Sequence, residues 1–240
     1  MKKGLDFSIM SVLASSILTN IVFAASNDVA IQKLLKEQTN TDFKVVSNAT
    51  DSLKDASFVI VESPNGERLA LISNKEGTYI VPLNIGVGNA TNSPLKIALD
   101  NVNRYNHDMK EKSVLAVFKK YPDSILKIPA MTSTKNTTYM VLDTTCPYCV
   151  NEIHQLDTYL KRGNIEILIV GILGEKASKR AAGFYAELPN AKTREQKIAL
   201  LKKIFTRDYM PQNGNEEKAK LMSDSAFMAG VQGVPYMILK

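Results

Sequence analysis

The stretch Thr138-Tyr139-Met140-Val141-Leu142-Asp143-Thr144-Thr145-Cys146-Pro147-Tyr148-Cys149 decides how this chain is read. Its first residues are mostly apolar and β-prone, which predicts a strand. From Val150 to Leu160 the apolar residues fall at helical spacing. Cys146 and Cys149 are the only two cysteines in 240 residues, and they stand where that strand turns into that helix. A thiol at a helix start meets unpaired N–H groups and the positive end of the helix dipole, which favour a thiolate. The thiolate is the attacking species in disulfide exchange. Pro147 suits a first helical turn, where its missing N–H costs nothing and its φ is preset. Cys149 lies one turn further in and is predicted to be more buried. Cys146 is therefore read as the nucleophile and Cys149 as the resolving thiol, with Pro147 and Tyr148 as the active-site dipeptide.

Two plainer readings compete. A structural disulfide across two intervening residues closes almost no loop, so it removes little entropy from the unfolded chain. A closed zinc site wants four ligands. The chain offers the two cysteines plus His107 and His154, whose surroundings read as exposed helix faces, so no metal and no cofactor is expected.

The N-terminus places the cysteines in a compartment. Lys2 and Lys3 precede a mostly apolar run from Ile9 to Val22, and Val22-Phe23-Ala24 supplies small residues at the usual cleavage positions. Residues 1–24 read as a secretory signal peptide cut after Ala24. The apolar run is short and polar for a membrane span, which needs roughly 20 residues. Export leads to an oxidising space where disulfides persist, and the location expected is the periplasm. The net charge is +6, and +5 without residues 1–24. Acids are interspersed among the lysines, as on solvated faces. No basic cluster interleaved with aromatics points to nucleic acid.

The rest of the chain reads as two domains. Residues 28–37 have an amphipathic helical pattern, with Ile31, Leu34 and Leu35 on one face. Strand-like runs follow at Phe43–Ser47, Ser57–Glu62, Arg68–Ser73 and Thr78–Leu83. Pro64-Asn65-Gly66 and Asn74-Lys75-Glu76-Gly77 punctuate them as turns. Gly86–Ser93 has loop composition. Pro94 opens a helical stretch to about Lys120 that is polar over Asn103–Lys112, the pattern of a helix bridging two domains. The second domain is predicted to begin near Tyr121-Pro122, with strands at Ser124–Ile128, Tyr139–Leu142 and Ile165–Leu173, in an α/β order. Residues 175–230 are largely helical, and Thr193-Arg194-Glu195-Gln196 matches a capping box. A last helix is expected over about Ser223–Val231. Gly233-Val234-Pro235 then leads to a final strand, Tyr236–Leu239.

Together, Val141 to Cys149 and the distant Gly230-Val231-Gln232-Gly233-Val234-Pro235 resemble the exported bacterial Dsb thiol:disulfide interchange proteins of the DsbC/DsbG type, in the thioredoxin superfamily. The resemblance implies an α+β N-terminal dimerisation domain over 25–95 and a linker helix over 96–122. An α/β thioredoxin-fold domain over 123–240 follows, with a helical insertion at about 175–230. It implies that Pro235 is cis and faces the cysteines, and that Val234 and Pro235 bind substrate through the backbone. It also implies a homodimer that acts as a disulfide isomerase or reductase on misfolded or misdisulfided exported proteins and is served by a membrane redox partner. Three features depart from the pattern. Pro147-Tyr148 is a glutaredoxin-like dipeptide. Val234 resembles the DsbA-like oxidases, whose direction of electron flow is the first alternative; a non-enzymatic chaperone or assembly factor is the second. The chain stops at Lys240, where the family fold adds a strand and a terminal helix.

Overall fold

A computed structural model describes residues 27–53, 55–83 and 94–240. The signal peptide and the loop expected at Gly86–Ser93 lie outside these residues. The chain divides into two compact units between Val102 and Asn103, within a helix that runs over Pro94–Lys120.

The first unit opens with α1, Asp28–Thr39, which ends where Asn40 adopts a left-handed conformation (φ 53°). Four antiparallel strands follow in meander order: β1 (Lys44–Leu53), β2 (Ala56–Glu62), β3 (Arg68–Asn74) and β4 (Ile80–Pro82). β1 runs further than its apolar core suggests, with irregularities between Val45 and Ser47 and between Ala49 and Leu53. Ile31 and Leu35 of α1 bury against Val59, Val61 and Leu71 of the sheet. Polar groups lock the helix start. The Asn48 amide, itself buried, donates to Asn27 Oδ1 and Asp28 Oδ1, both at 2.6 Å, and Asn27 Nδ2 donates to the Asn74 carbonyl at 3.2 Å. Gly77 closes the turn between β3 and β4 at φ +72°, and a Cβ there would stand 2.9 Å from the Asn27 carbonyl oxygen.

The second unit begins within α2 (Pro94–Lys120), whose last turns bury Val114, Val117 and Phe118. Its strands are β5 (Leu126–Ile128), β6 (Thr137–Asp143), β7 (Asn164–Val170) and β8 (Tyr236–Leu239), in spatial order β5-β7-β6-β8. β6 and β7 are parallel and central, while β5 and β8 are antiparallel edges. The crossover from β6 to β7 contains α3 (Pro147–His154) and α4 (Leu156–Arg162), as a parallel pair requires. The single helical pattern of Val150–Leu160 is thus two helices that meet at Gln155, tied by a hydrogen bond from the Tyr159 hydroxyl to Glu152. Between β7 and β8 come α5 (Glu175–Glu187), α6 (Arg194–Ile204) and α7 (Glu216–Met228). The capping box of Thr193 and Gln196 forms.

Of the element bounds that differ from the sequence reading, two have a clear local cause. β7 stops at Val170 rather than Leu173. The Gly171 N–H donates to Ser223 Oγ at 2.9 Å instead of to a strand, and a Cβ on Gly171 would lie 2.5 Å from Ser178 Cα of α5. α7 begins at Glu216, well before Ser223, because the Asn215 side chain caps it by accepting from Lys218 N at 3.0 Å. No described helix is long and apolar enough to cross a membrane.

Candidate active site

The site grows from the end of β6. Asp143 is fully buried there, and its carboxylate is held by four donors. Thr145 gives its N–H and its hydroxyl to Oδ1, both at 2.8 Å, and the Ile172 and Leu173 N–H groups reach Oδ2 at 2.9 and 3.1 Å. This carboxylate joins the turn after β6 to the turn after β7.

Cys146 is the residue before the first turn of α3, with extended backbone (φ −77°, ψ 120°), and Pro147 occupies that turn. The Cys146 N–H donates to the Asp143 carbonyl at 3.2 Å, and the Val150 N–H donates to the Cys146 carbonyl at 3.1 Å. Both cysteines are free thiols. Cys149 is fully buried, and Cys146 is 5% exposed. Tyr148, between them, projects outward at 71% exposure. Burial pushes the Cys149 thiol well above the usual range; a hydrogen bond with the Asp143 backbone opposes part of this, and neighbouring Cys146 adds to it.

The distant segment comes to the same place. The Val234–Pro235 peptide bond is cis, and the Cys146 thiol donates to the Val234 carbonyl at 3.4 Å across 88 positions of sequence. β8 holds this segment through its pairing with β6, from Tyr236 beside Val141 to Leu239 beside Thr138. His154 and His107 stand apart. His154 is exposed at the end of α3, and His107 pairs with Glu111 at 3.3 Å on α2. No group of three or more His, Cys, Asp or Glu able to hold a metal occurs among the described residues.

The sequence reading passed over two residues here. Asp143 stood in the quoted run, and its signal was a carboxylate ending an otherwise apolar strand. Arg180 on α5 is 3% exposed and extends Nη1 to the Thr144 carbonyl at 3.4 Å. Nothing near it in sequence marks it out.

Comparison with known proteins agrees with this build. Residues 31–115 match the family model of the disulfide isomerase DsbG N-terminal domain. The structure is similar to that of Helicobacter pylori DsbG, at 24% identity, covering 88% of this chain and all of that one, with a TM-score of 0.52. Weaker likenesses are to the catalytic domain of Proteus mirabilis ScsC (14% identity, 52% of this chain and 85% of that one, TM-score 0.36) and to the thiol-disulfide exchange protein alpha-DsbA2 of Wolbachia pipientis (17%, 55% and 86%, TM-score 0.32). No curated protein sequence matches the chain. Residues 31–115 thus match a DsbG N-terminal domain, the fold is shared with the DsbG structure, and Cys146 and Cys149 lie in the second unit.

Proposed function

We propose that the protein is a periplasmic, homodimeric disulfide isomerase or reductase of exported proteins, with Cys146 as nucleophile, Cys149 as resolving thiol, and Val234 and Pro235 as the backbone surface for substrate. The observation that carries this is the Cys146 sulfur at the start of α3, 3.4 Å from the Val234 carbonyl, with Cys149 buried behind it. The DsbG N-terminal match supports the isomerase side and the dimer.

The chemistry follows from the placement. The Cys146 thiolate attacks one sulfur of a substrate disulfide, forming a mixed disulfide and releasing the other substrate sulfur as a thiolate. Cys149 can then lose its proton and attack the Cys146 sulfur. That forms the Cys146–Cys149 disulfide and leaves the substrate reduced by two electrons, so a reductant of the dithiol type must restore the pair. Alternatively a second substrate thiolate attacks its own sulfur in the mixed disulfide. Cys146 then departs as a thiolate with no net redox change, which is isomerisation. Burial keeps Cys149 protonated at neutral pH, which slows the first exit and favours the second. An extended substrate segment pairing with Val234 backbone would be read by main chain and so suit many sequences. Val234 itself favours the DsbA-like oxidase as the second reading, in which the same pair runs oxidised.

The test has two parts. Cys149→Ala should accumulate mixed disulfides with a scrambled-disulfide substrate, whereas Cys146→Ala should accumulate none and lose at least about a thousandfold in exchange rate. Preferential alkylation of Cys149 in the reduced protein would reverse the assignment. The equilibrium potential of the pair then separates the directions of flow. A value near the strongly oxidising end, about −120 mV, would favour the oxidase.

A further inference from the structure

Beside α3, on the face that carries Pro147, Val150, Asn151 and His154, lies a pocket of about 1080 Å³. Lys176, Arg180, Lys202 and Arg207 also line it, and Asp157 is the one carboxylate in its wall. The lysines next to these in sequence have acidic partners: Lys179 pairs with Glu175 and Lys203 with Glu187. Lys176, Lys202 and Arg207 are exposed and form no ion pair among the described residues.

Arg180 is the least ordinary of the four. It is 3% exposed. Nη2 donates to the carbonyls of Thr206 at 2.9 Å and Arg207 at 2.6 Å, and Nη1 reaches the Thr144 carbonyl at 3.4 Å. Its Nε is buried with no acceptor. Among the described residues no carboxylate stands within ion-pairing distance of it, and its guanidinium lies over the Tyr209 ring at 5.9 Å from the centre. A buried guanidinium without a counter-charge is costly, and backbone dipoles offset only part of that cost. Its planar fork suits a carboxylate. The pocket therefore carries excess positive charge, and one of its lining arginines is buried without a counter-charge. Thr144, Thr145 and Pro147, which flank Cys146 in sequence, line its near edge.

We propose that this pocket is a subsite for an acidic side chain of the polypeptide whose disulfide Cys146 engages. Its role in exchange rests on the function proposed above, but its occupancy does not. A chain bound at Cys146 advances about 3.3 Å per residue when extended, and the pocket is lined by Thr145 and Pro147 on either side of Cys146, so the proposal puts the acidic residue a few positions from the substrate cysteine. The same charge would steer acidic partners to the thiol and make their association sensitive to salt.

The test uses the full reduced protein and two fluorescent, cysteine-free peptides that differ only in Glu against Gln. The Glu peptide should bind about tenfold tighter at low salt and lose most of that advantage at about 0.5 M salt. The double variant Lys202→Glu, Arg207→Glu should erase the preference. Both residues are exposed, so the fold should tolerate the change. Lys220→Glu, a charge reversal outside the pocket, should change the preference less than about twofold. Equal binding of the two peptides, or a preference that survives in the double variant, overturns the subsite. Succinate binding as tightly as the Glu peptide would make it a site for free acids and overturn the polypeptide assignment. Because these peptides carry no thiol, a protein that binds them as expected but exchanges no disulfide would condemn the proposed function and leave the subsite standing.

Discussion

Among the described residues, the first unit packs a cluster of five buried apolar side chains between α1 and its sheet. The second surrounds a central parallel pair of strands, and in β7 alone Ile165, Ile167, Leu168, Ile169 and Val170 are all fully buried. The small unit makes up for its thin core with polar locks: the Asn27–Asn48–Asp28 cluster and the tight seat of Gly77. The large unit instead uses its packing to hold two buried thiols, Cys146 and Cys149, just past the end of a central strand. The lesson is a division of labour. The cysteine pair stands where burial is deep. The other unit is held by a few specific contacts and is correspondingly easy to damage. Small cores leave little margin, and partner chains often supply the rest.

Leu71→Ala should produce the largest effect on that division. It removes a fully buried side chain from the cluster between α1 and its sheet, at a cost of about 2–5 kcal/mol, a large share of what a small unit has. Sedimentation should show loss of the proposed dimer and refolding of scrambled substrates should fail, while reduced Cys146 still exchanges with a small disulfide. If small-disulfide exchange collapses as well, the two units are not separable in the way argued. Gly77→Ala comes next. It imposes a Cβ 2.9 Å from the Asn27 carbonyl on a residue at φ +72°, which should cost about 1–3 kcal/mol in denaturant unfolding. Asn48→Ala should cost about 1–2 kcal/mol by leaving Asn27 and Asp28 with one donor fewer. A neutral result for both would show that packing alone, not the polar locks, holds the small unit.

The smallest and most selective effect concerns pH. The Cys149 thiol and the Tyr139, Tyr159, Tyr185 and Tyr209 phenols are all raised by burial, Tyr159 to about 12, and all belong to the second unit. A raised folded value means that the folded state holds its proton longer than the unfolded chain. The stability this gives is complete below the unfolded values, about 8.5 for cysteine and about 10 for tyrosine. It is lost as pH climbs from there through the folded values. The thermal stability of the second unit should therefore fall steadily above about pH 8.5, and Cys149→Ala should remove the earliest part of the fall. A flat profile to pH 10.5 would show that these groups are not so well shielded.

Much of this architecture was legible in the sequence, and the reasons are local. An apolar run, a Cys-Pro-Tyr-Cys start and a helical period specify strand, turn and helix without help from elsewhere. Thr193 and Gln196 announce a helix start because both halves of the cap lie within four residues. What stayed hidden depends on partners far along the chain. β7 ends early because Asp143, 29 positions before Ile172, takes an N–H that a strand neighbour would have used. The buried Arg180 is indistinguishable in sequence from the exposed Lys176 and Lys179 on the same helix. Its burial follows from the carbonyls of Thr206 and Arg207, 26 and 27 residues on. The start of α7 hung on Asn215, a modest cap in a polar stretch where no apolar period marks the first turn.

The Asp143 carboxylate sets a clock for this site. Its four donors come from Thr145 on one side and from Ile172 and Leu173 on the other. None of these amides can open alone without leaving a buried charge under-satisfied, so they should open together. In native-state hydrogen exchange, Thr145, Ile172 and Leu173 should share one slow rate although they lie in loops, where exchange is ordinarily fast. That common rate would measure how often the thiol-bearing turn comes loose from the domain that aims it.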